Sequence, residues 1–179
     1  DLEHPCQALA DFLTIHEEFL DFQDLVLTFI GDGNNVAHSL ILCGALLGME
    51  VRIACPKGYE PNPFVIKKAR EIYKNDNLLK ITNDPHAAAC GSNVLYTDVW
   101  SSMGEENQKK EKDIDFNGFS IDSNLVAKAD KNAIILHCLP AYRNKEITDA
   151  VMESENSRIF QQAENRLHVQ QGLLACLLS

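Results

Sequence analysis

Apolar residues recur at Leu9, Phe12, Leu13, Ile15 and Phe19, close to a 3.6-residue period, so residues 4–19 are expected to form a helix. Pro5 falls in its first turn, where a missing N–H costs nothing. Residues 25–30 are a continuous apolar run ending in Gly31-Asp32-Gly33, and residues 34–47 then carry a helical pattern that Gly48 stops. Residues 51–54 read as a second strand closing on Cys55-Pro56, followed by the turn-rich KGYEPNP and a basic helix around 64–74. Residues 78–82 make a weaker third strand. In Asn83-Asp84-Pro85 an aspartate cap precedes a proline at the first helical position, which predicts a helix through 86–90, closed by Gly91. A fourth strand over 93–96, a helix over 121–129, a fifth strand over 133–137 and a last helix from about 163 to the end complete the chain. Strands that are apolar throughout, alternating with helices, argue for a parallel sheet covered on both faces. Right-handed crossovers make it doubly wound, an α/β domain on five strands with no internal repeat.

With 179 residues, 45% hydrophobic and 23% charged, the chain suits one well-packed domain and not two. A net charge of −10 excludes a general nucleic-acid binder, which would carry clustered Lys and Arg. No apolar run approaches the roughly 18 residues of a membrane span. The six cysteines form no CxxC pair and mostly lie in apolar runs, which suits free thiols in a reducing, cytoplasmic setting. His and Cys are scattered without zinc-ligand spacings, so no metal is expected. The first residues open directly into a helix without a Met, and the chain stops at GLLACLLS, so a piece of a longer protein is expected.

Ligands of open α/β sheets sit at the carboxyl ends of the strands. Three strand ends here carry polar clusters. The first, FIGDGNN at 29–35, has glycines that let a backbone approach a ligand and a helix N-terminus that favours an anion. A dinucleotide fingerprint would place glycine at Val36 and an acid at the end of the second strand, where Ala54-Cys55-Pro56 stand, so that class is disfavoured. The bland alternative is a plain turn capped by Asp32 or Asn34. The second cluster, YTDVWSSMGEE at 96–106, offers Asp98 for an ammonium group, with Ser102, Met103 and Gly104 behind it. Its longer polar stretch, 101–115, reads as a working loop or as solvated surface. The third, AIILHCLP at 133–140, delivers His137, Cys138 and Pro140 to a strand end; a small buried Cys before a turn proline is the competing account. Away from the strands, His4 and Gln7 share a helix face, suited to a small amide or acyl group or simply to the surface. Arg166 could grip a phosphate or carboxylate, or form a surface ion pair.

Taken in order, HPCQ, FIGDGNN, DVWSSMG, HCLP and ENR make a set that closely resembles the ornithine carbamoyltransferases, over essentially the whole chain. The resemblance implies a two-domain α/β enzyme, of which this chain is the second, L-ornithine-binding, Rossmann-like domain. The carbamoyl-phosphate domain, with its Ser-Thr-Arg-Thr loop, would lie outside it. Segments 1–19 and 163–179 would be the helices that bridge the two. By the same resemblance Asn35, Asp98, Ser102 and Met103 would hold the amino-acid end of ornithine, and Cys138 would stand at the reacting amine as its proton acceptor, helped by thiolate character. His4, Gln7, Cys138, Leu139 and Arg166 would contact carbamoyl phosphate. No cofactor is implied. The family's trimer would form mainly through the absent domain, leaving this chain monomeric and inactive alone. Open alternatives are a carbamoyltransferase for putrescine or an acylated ornithine, and a non-catalytic amino-acid-binding module.

Overall fold

Strands β1 (Val26–Ile30), β2 (Glu50–Ala54), β3 (Leu79–Thr82), β4 (Val94–Thr97) and β5 (Ile134–His137) form one all-parallel sheet in the order β3-β2-β1-β4-β5. The computed structural model describes residues 2–73, 76–101 and 109–179. The chain winds outward from β1 through β2 to β3, then returns to the other side of β1 for β4 and β5. That reversal opens a crevice at the carboxyl ends of β1 and β4, where ligands of such sheets bind.

Alternation along the strands divides the interior into two cores. Leu27, Phe29, Val51, Ile53, Tyr96 and Leu136 face one side. There they meet α1 (Pro5–Phe19), α2 (Asn35–Leu47) and α3 (Pro63–Ile72). Ile30, Ala54, Leu95 and Ile135 face the other side. They pack on α4 (Pro85–Ala89), α6 (Ser123–Val126) and α7 (Asp149–Met152). Two further α-helices among the described residues are α5 (Lys109–Asp115) and α8 (Ile159–Leu178), and a 3-10 turn at Asp76–Leu78 leads into β3. The doubly wound five-stranded sheet with helices on both faces is therefore as the sequence pattern predicts.

Several helix ends follow from caps visible in the sequence. Asn34 Oδ1 accepts from the N–H groups of Val36 and Ala37 at the start of α2, and Asp84 does the same for His86 and Ala87 at α4. Gly48 ends α2 in the left-handed conformation at φ 72.

Three boundaries differ from expectation. The polar stretch 101–115 ends in helix α5, fastened through the Asp32–Lys112 ion pair at 2.7 Å and by Phe116 stacked on Trp100. The helix expected over 121–129 spans only Ser123–Val126, because Ile121 is drawn into a parallel bridge with Ile147 and Asp122 becomes the cap. The last helix starts at Ile159 and not near 163. Its first turn is held by the buried Ile159 and by Gln162, whose Oε1 accepts from the His137 N–H at 2.8 Å.

The turn between β1 and α2 leaves no room for a side chain at Gly33. A Cβ there would lie 2.4 Å from the Pro61 nitrogen and 2.6 Å from the Tyr59 carbonyl oxygen, both backbone atoms. Gly33→Ala is expected to lower the unfolding free energy by about 1–3 kcal/mol. The urea midpoint of the variant checks this; an unchanged midpoint would remove the close approach from the account.

Candidate active site

The crevice is built by the ends of three adjacent strands, and its centre is Asp98, one residue beyond β4 and only 7% exposed. Asn34, at the end of the β1 turn, donates its side-chain amide to Asp98 Oδ2 at 2.8 Å. Oδ1 accepts from the Val99 N–H at 2.7 Å and from the Cys138 thiol, across the top of β5, at 2.9 Å. Residues distant in sequence meet here because Ile30, Thr97 and His137 end their strands in matching register.

The Cys138 thiol is the donor in this contact. Burial, with the Asp98 carboxylate beside it, pushes its pKa well above the usual thiol range. The expected thiolate character is therefore corrected: a buried sulfur against a carboxylate keeps its proton. Cys138 stands next to a tightly held turn. Leu139 lies in the left-handed region at φ 57, a conformation that costs a non-glycine residue roughly 1–2 kcal/mol. Its N–H donates to His137 Nδ1 at 2.9 Å. That assigns the ring proton to Nε2, which faces Glu146 Oε1 at 3.3 Å, both side chains being fully buried. The peptide bond from Leu139 to Pro140 is cis. Asp98, His137 and Cys138 each bring one donor atom within 4.8 Å of the others, but both His137 nitrogens and the thiol are already engaged by protein groups.

The remaining expected residues fall into two places. Asn35 is half-buried at the first position of α2, directly after Asn34 in the chain. Ser102 and Met103 lie outside the described residues. His4, Gln7 and Arg166 belong to the packed pair α1 and α8. Arg166 donates to Gln7 Oε1 at 2.6 Å and, together with His4, Cys6, Gln170 and Leu174, lines a hollow of about 410 Å³. The His4 side chain makes no capping bond; its backbone N–H donates to Ser39 Oγ at 2.7 Å.

A buried polar cluster that the sequence reading missed runs from the helix pair to Tyr96 on β4. Asp11, on α1, has no exposed surface. Its Oδ1 accepts from Gln7 Nε2 at 2.8 Å and from Gln162 Nε2 at 2.6 Å, and its Oδ2 from the Tyr96 hydroxyl at 3.0 Å. The Tyr96 oxygen in turn accepts from Gln162 Nε2 at 3.1 Å. The signal was present as polar residues at positions 7, 11 and 14 of one helix face and at 162 and 165 of another. Both faces are turned inward.

The fold is an open, doubly wound α/β domain with a carboxylate, an amide and a thiol gathered at its switch-point crevice. The family model described as Aspartate/ornithine carbamoyltransferase, Asp/Orn binding domain, matches residues 23–177. The chain belongs to that family. It is 82% identical over 178 residues to the ornithine carbamoyltransferase of Prochlorococcus marinus subsp. pastoris, covering 99% of this chain and 58% of that protein. The solved ornithine carbamoyltransferase of Pyrococcus furiosus superposes with a TM-score of 0.93 at 44% identity, over 98% of this chain and 56% of that one. An acetylornithine transcarbamylase complexed with acetylcitrulline superposes at 0.83 with 33% identity, over 98% of this chain and 56% of that one. The chain thus spans well under two thirds of the length of the relatives it matches.

Burial raises the Asp11 pKa from 3.8 to about 7, against the opposing pull of its hydrogen bonds and of Arg166. A folded-state pKa above the unfolded one means stability that is complete at low pH and lost as pH rises toward about 7. Asp11→Asn keeps the shape and has no such loss. Relative to the parent, this variant is expected to gain about 2 kcal/mol more at pH 8 than at pH 5. Urea melts of the chain at the two pH values test this; a pH-independent difference would contradict it.

Proposed function

We propose that this chain is the ornithine-binding half of an ornithine carbamoyltransferase. The reaction moves the carbamoyl group of carbamoyl phosphate to the δ-amine of L-ornithine, giving citrulline and phosphate, a step of arginine biosynthesis. The observation that carries this reading is Asp98: a buried carboxylate at the switch point, flanked by Asn34 and by the Cys138 thiol.

The α-ammonium of ornithine replaces the thiol as the donor to Asp98, and Asn35, Ser102 and Met103 hold the rest of the amino-acid end. The δ-amine then lies beside Cys138. An alkylammonium with a pKa of about 10.4 requires roughly 4–5 kcal/mol to become neutral at pH 7. A neutral thiol serves there as a hydrogen-bonding partner and proton carrier, and enclosure disfavours the ammonium form. The free amine attacks the carbamoyl carbon, and the tetrahedral adduct expels phosphate, whose leaving oxygen takes the second proton from the attacking nitrogen. His4, Gln7 and Arg166 reach toward carbamoyl phosphate, with the Leu139 turn fixing the floor on which the carbamoyl group rests. The other cations for the departing phosphate come from the portion of the relatives that this chain does not span.

In this reading α1 and α8 are the helices that join the two halves, and the exposed Leu9, Leu167, Leu174 and Leu177 lie against the rest of the enzyme. The whole protein is a homotrimer and this chain alone a monomer. Six free cysteines suit a cytoplasmic location. Among the described residues no helix is long and apolar enough to cross a membrane.

The test is a chimera in which this chain replaces the matching 58% of the Prochlorococcus protein. The chimera is expected to form citrulline from L-ornithine and carbamoyl phosphate, and the chain alone to form none. Asp98→Asn should lower kcat/KM for ornithine by about 100-fold, since the site loses the charge that holds the ammonium. Carbamoylation of putrescine or N-acetylornithine in preference to ornithine would overturn the substrate assignment.

A further inference from the structure

The chemistry above leaves Glu146 unused. Its side chain is fully buried. Oε1 accepts from the Tyr142 N–H and faces the His137 ring at 3.3 Å, while Oε2 has no hydrogen-bond partner among the described residues. Enclosing a carboxylate in this way is costly, and a neutral acceptor would serve the Tyr142 N–H alone. The contact that distinguishes Glu146 is the one with His137, because that ring also holds the residue after Cys138.

Resting on the ornithine reading, we propose that Glu146 is a positioning residue for carbamoyl transfer, acting through His137 on the Cys138–Leu139 turn. A neutral imidazole carries its one proton on either nitrogen, and the hydrogen bond made at one side decides which. Glu146 Oε1 accepts from the Nε2–H, so Nδ1 is left bare. Bare Nδ1 accepts from the Leu139 N–H at 2.9 Å. With the proton on Nδ1 instead, two N–H groups would face each other there and the bond would be lost. Leu139 depends on that bond, because its φ of 57 is a conformation that residues with a side chain disfavour. From the other side, Gln162 Oε1 accepts from the His137 N–H at 2.8 Å. The residues before and after Cys138 are thus both held, one through its main chain and the other through the ring.

This restraint matters most when the site is loaded. Without substrate the Cys138 thiol donates to Asp98 Oδ1 at 2.9 Å, and that bond helps to fix the sulfur. The α-ammonium of ornithine takes the same acceptor and frees the thiol from it. What keeps the sulfur beside the δ-amine from that point is the turn, and the turn rests on the Glu146–His137 contact. Misplacing a group at a reacting centre by about 1 Å costs up to about 100-fold in rate. Glu146 is fully enclosed and touches neither substrate. Asp98, bonded to Asn34 and to the Val99 N–H, keeps its place without it. Removing Glu146 therefore acts on kcat and leaves the hold on ornithine intact.

Kinetics of the full-length chimera, together with histidine-nitrogen NMR spectra of this chain, test the proposal. Glu146→Leu removes the acceptor and should lower kcat by about 30-fold, with the ornithine KM within about threefold of the parent. Glu146→Gln keeps an oxygen for the ring N–H and should return kcat to within about fivefold of the parent. In the spectra, the parent and Glu146→Gln should carry the His137 proton on Nε2, and Glu146→Leu should show a protonated Nδ1 or a mixture of the two forms. If Glu146→Leu does not fold, Glu146→Asp, whose carboxylate is withdrawn by one methylene, carries the test, with a kcat loss of about tenfold at unchanged KM. A kcat within about threefold of the parent in the folded variant, a loss that falls on KM instead of kcat, or a kcat loss with the ring proton still on Nε2 overturns the proposal. A parent chimera that forms no citrulline overturns the ornithine reading and this proposal with it.

Discussion

The contact between Asp98 and Cys138 organises this molecule. It exists only where β1, β4 and β5 lie side by side, parallel and in matching register, so that their carboxyl ends bring Asn34, Asp98 and Cys138 together. A one-residue slip of β4 against β5 would turn Tyr96 and Asp98 to opposite faces from those they occupy. The two cores specify that register, because alternate strand residues are apolar toward both helical layers. The packing of the sheet and the chemistry at its edge therefore rest on the same alternation.

A second constraint is the polar layer between α1, α8 and β4. Gln7, Asp11, Thr14, Gln162 and Asn165 are buried where apolar residues would ordinarily pack. Their partners are one another: Asn165 Nδ2 donates to Thr14 Oγ1 at 2.9 Å, and Gln162 Nε2 reaches both Asp11 and Tyr96. Satisfied networks of this kind fix the relative placement of helices, since a shifted helix leaves buried groups without partners. The layer ties Arg166 and Gln7, at the helix pair, to Tyr96 in β4, two residues before Asp98. The cost is a carboxyl whose burial favours its neutral form, so part of the fold's stability depends on pH through one side chain.

Much of this was legible in the sequence. Continuous apolar runs ending in GDGNN, TDVW and HCLP revealed the parallel sheet and the three strand ends that meet at the crevice. The caps at Asn34 and Asp84 were readable because their chemistry is local. What could not be read depends on distant partners. The early start of α8 comes from Gln162 reaching the His137 backbone, and the shortening of α6 from the pairing of Ile121 with Ile147. The burial of Asp11 was not readable, because nothing within its own segment shows that Tyr96 and Gln162 cover it. Nor could the state of Cys138 be read, since its proton is held by a carboxylate 40 residues away.

The central claim is that Asp98 exchanges the Cys138 thiol for the substrate ammonium. Difference infrared spectroscopy of the S–H stretch in the full-length chimera, with and without L-ornithine and with Cys138→Ala to assign the band, reads that exchange directly. The account predicts a shifted Cys138 band on ornithine binding, as the thiol leaves its carboxylate acceptor. A band that stays fixed while ornithine is bound would contradict it.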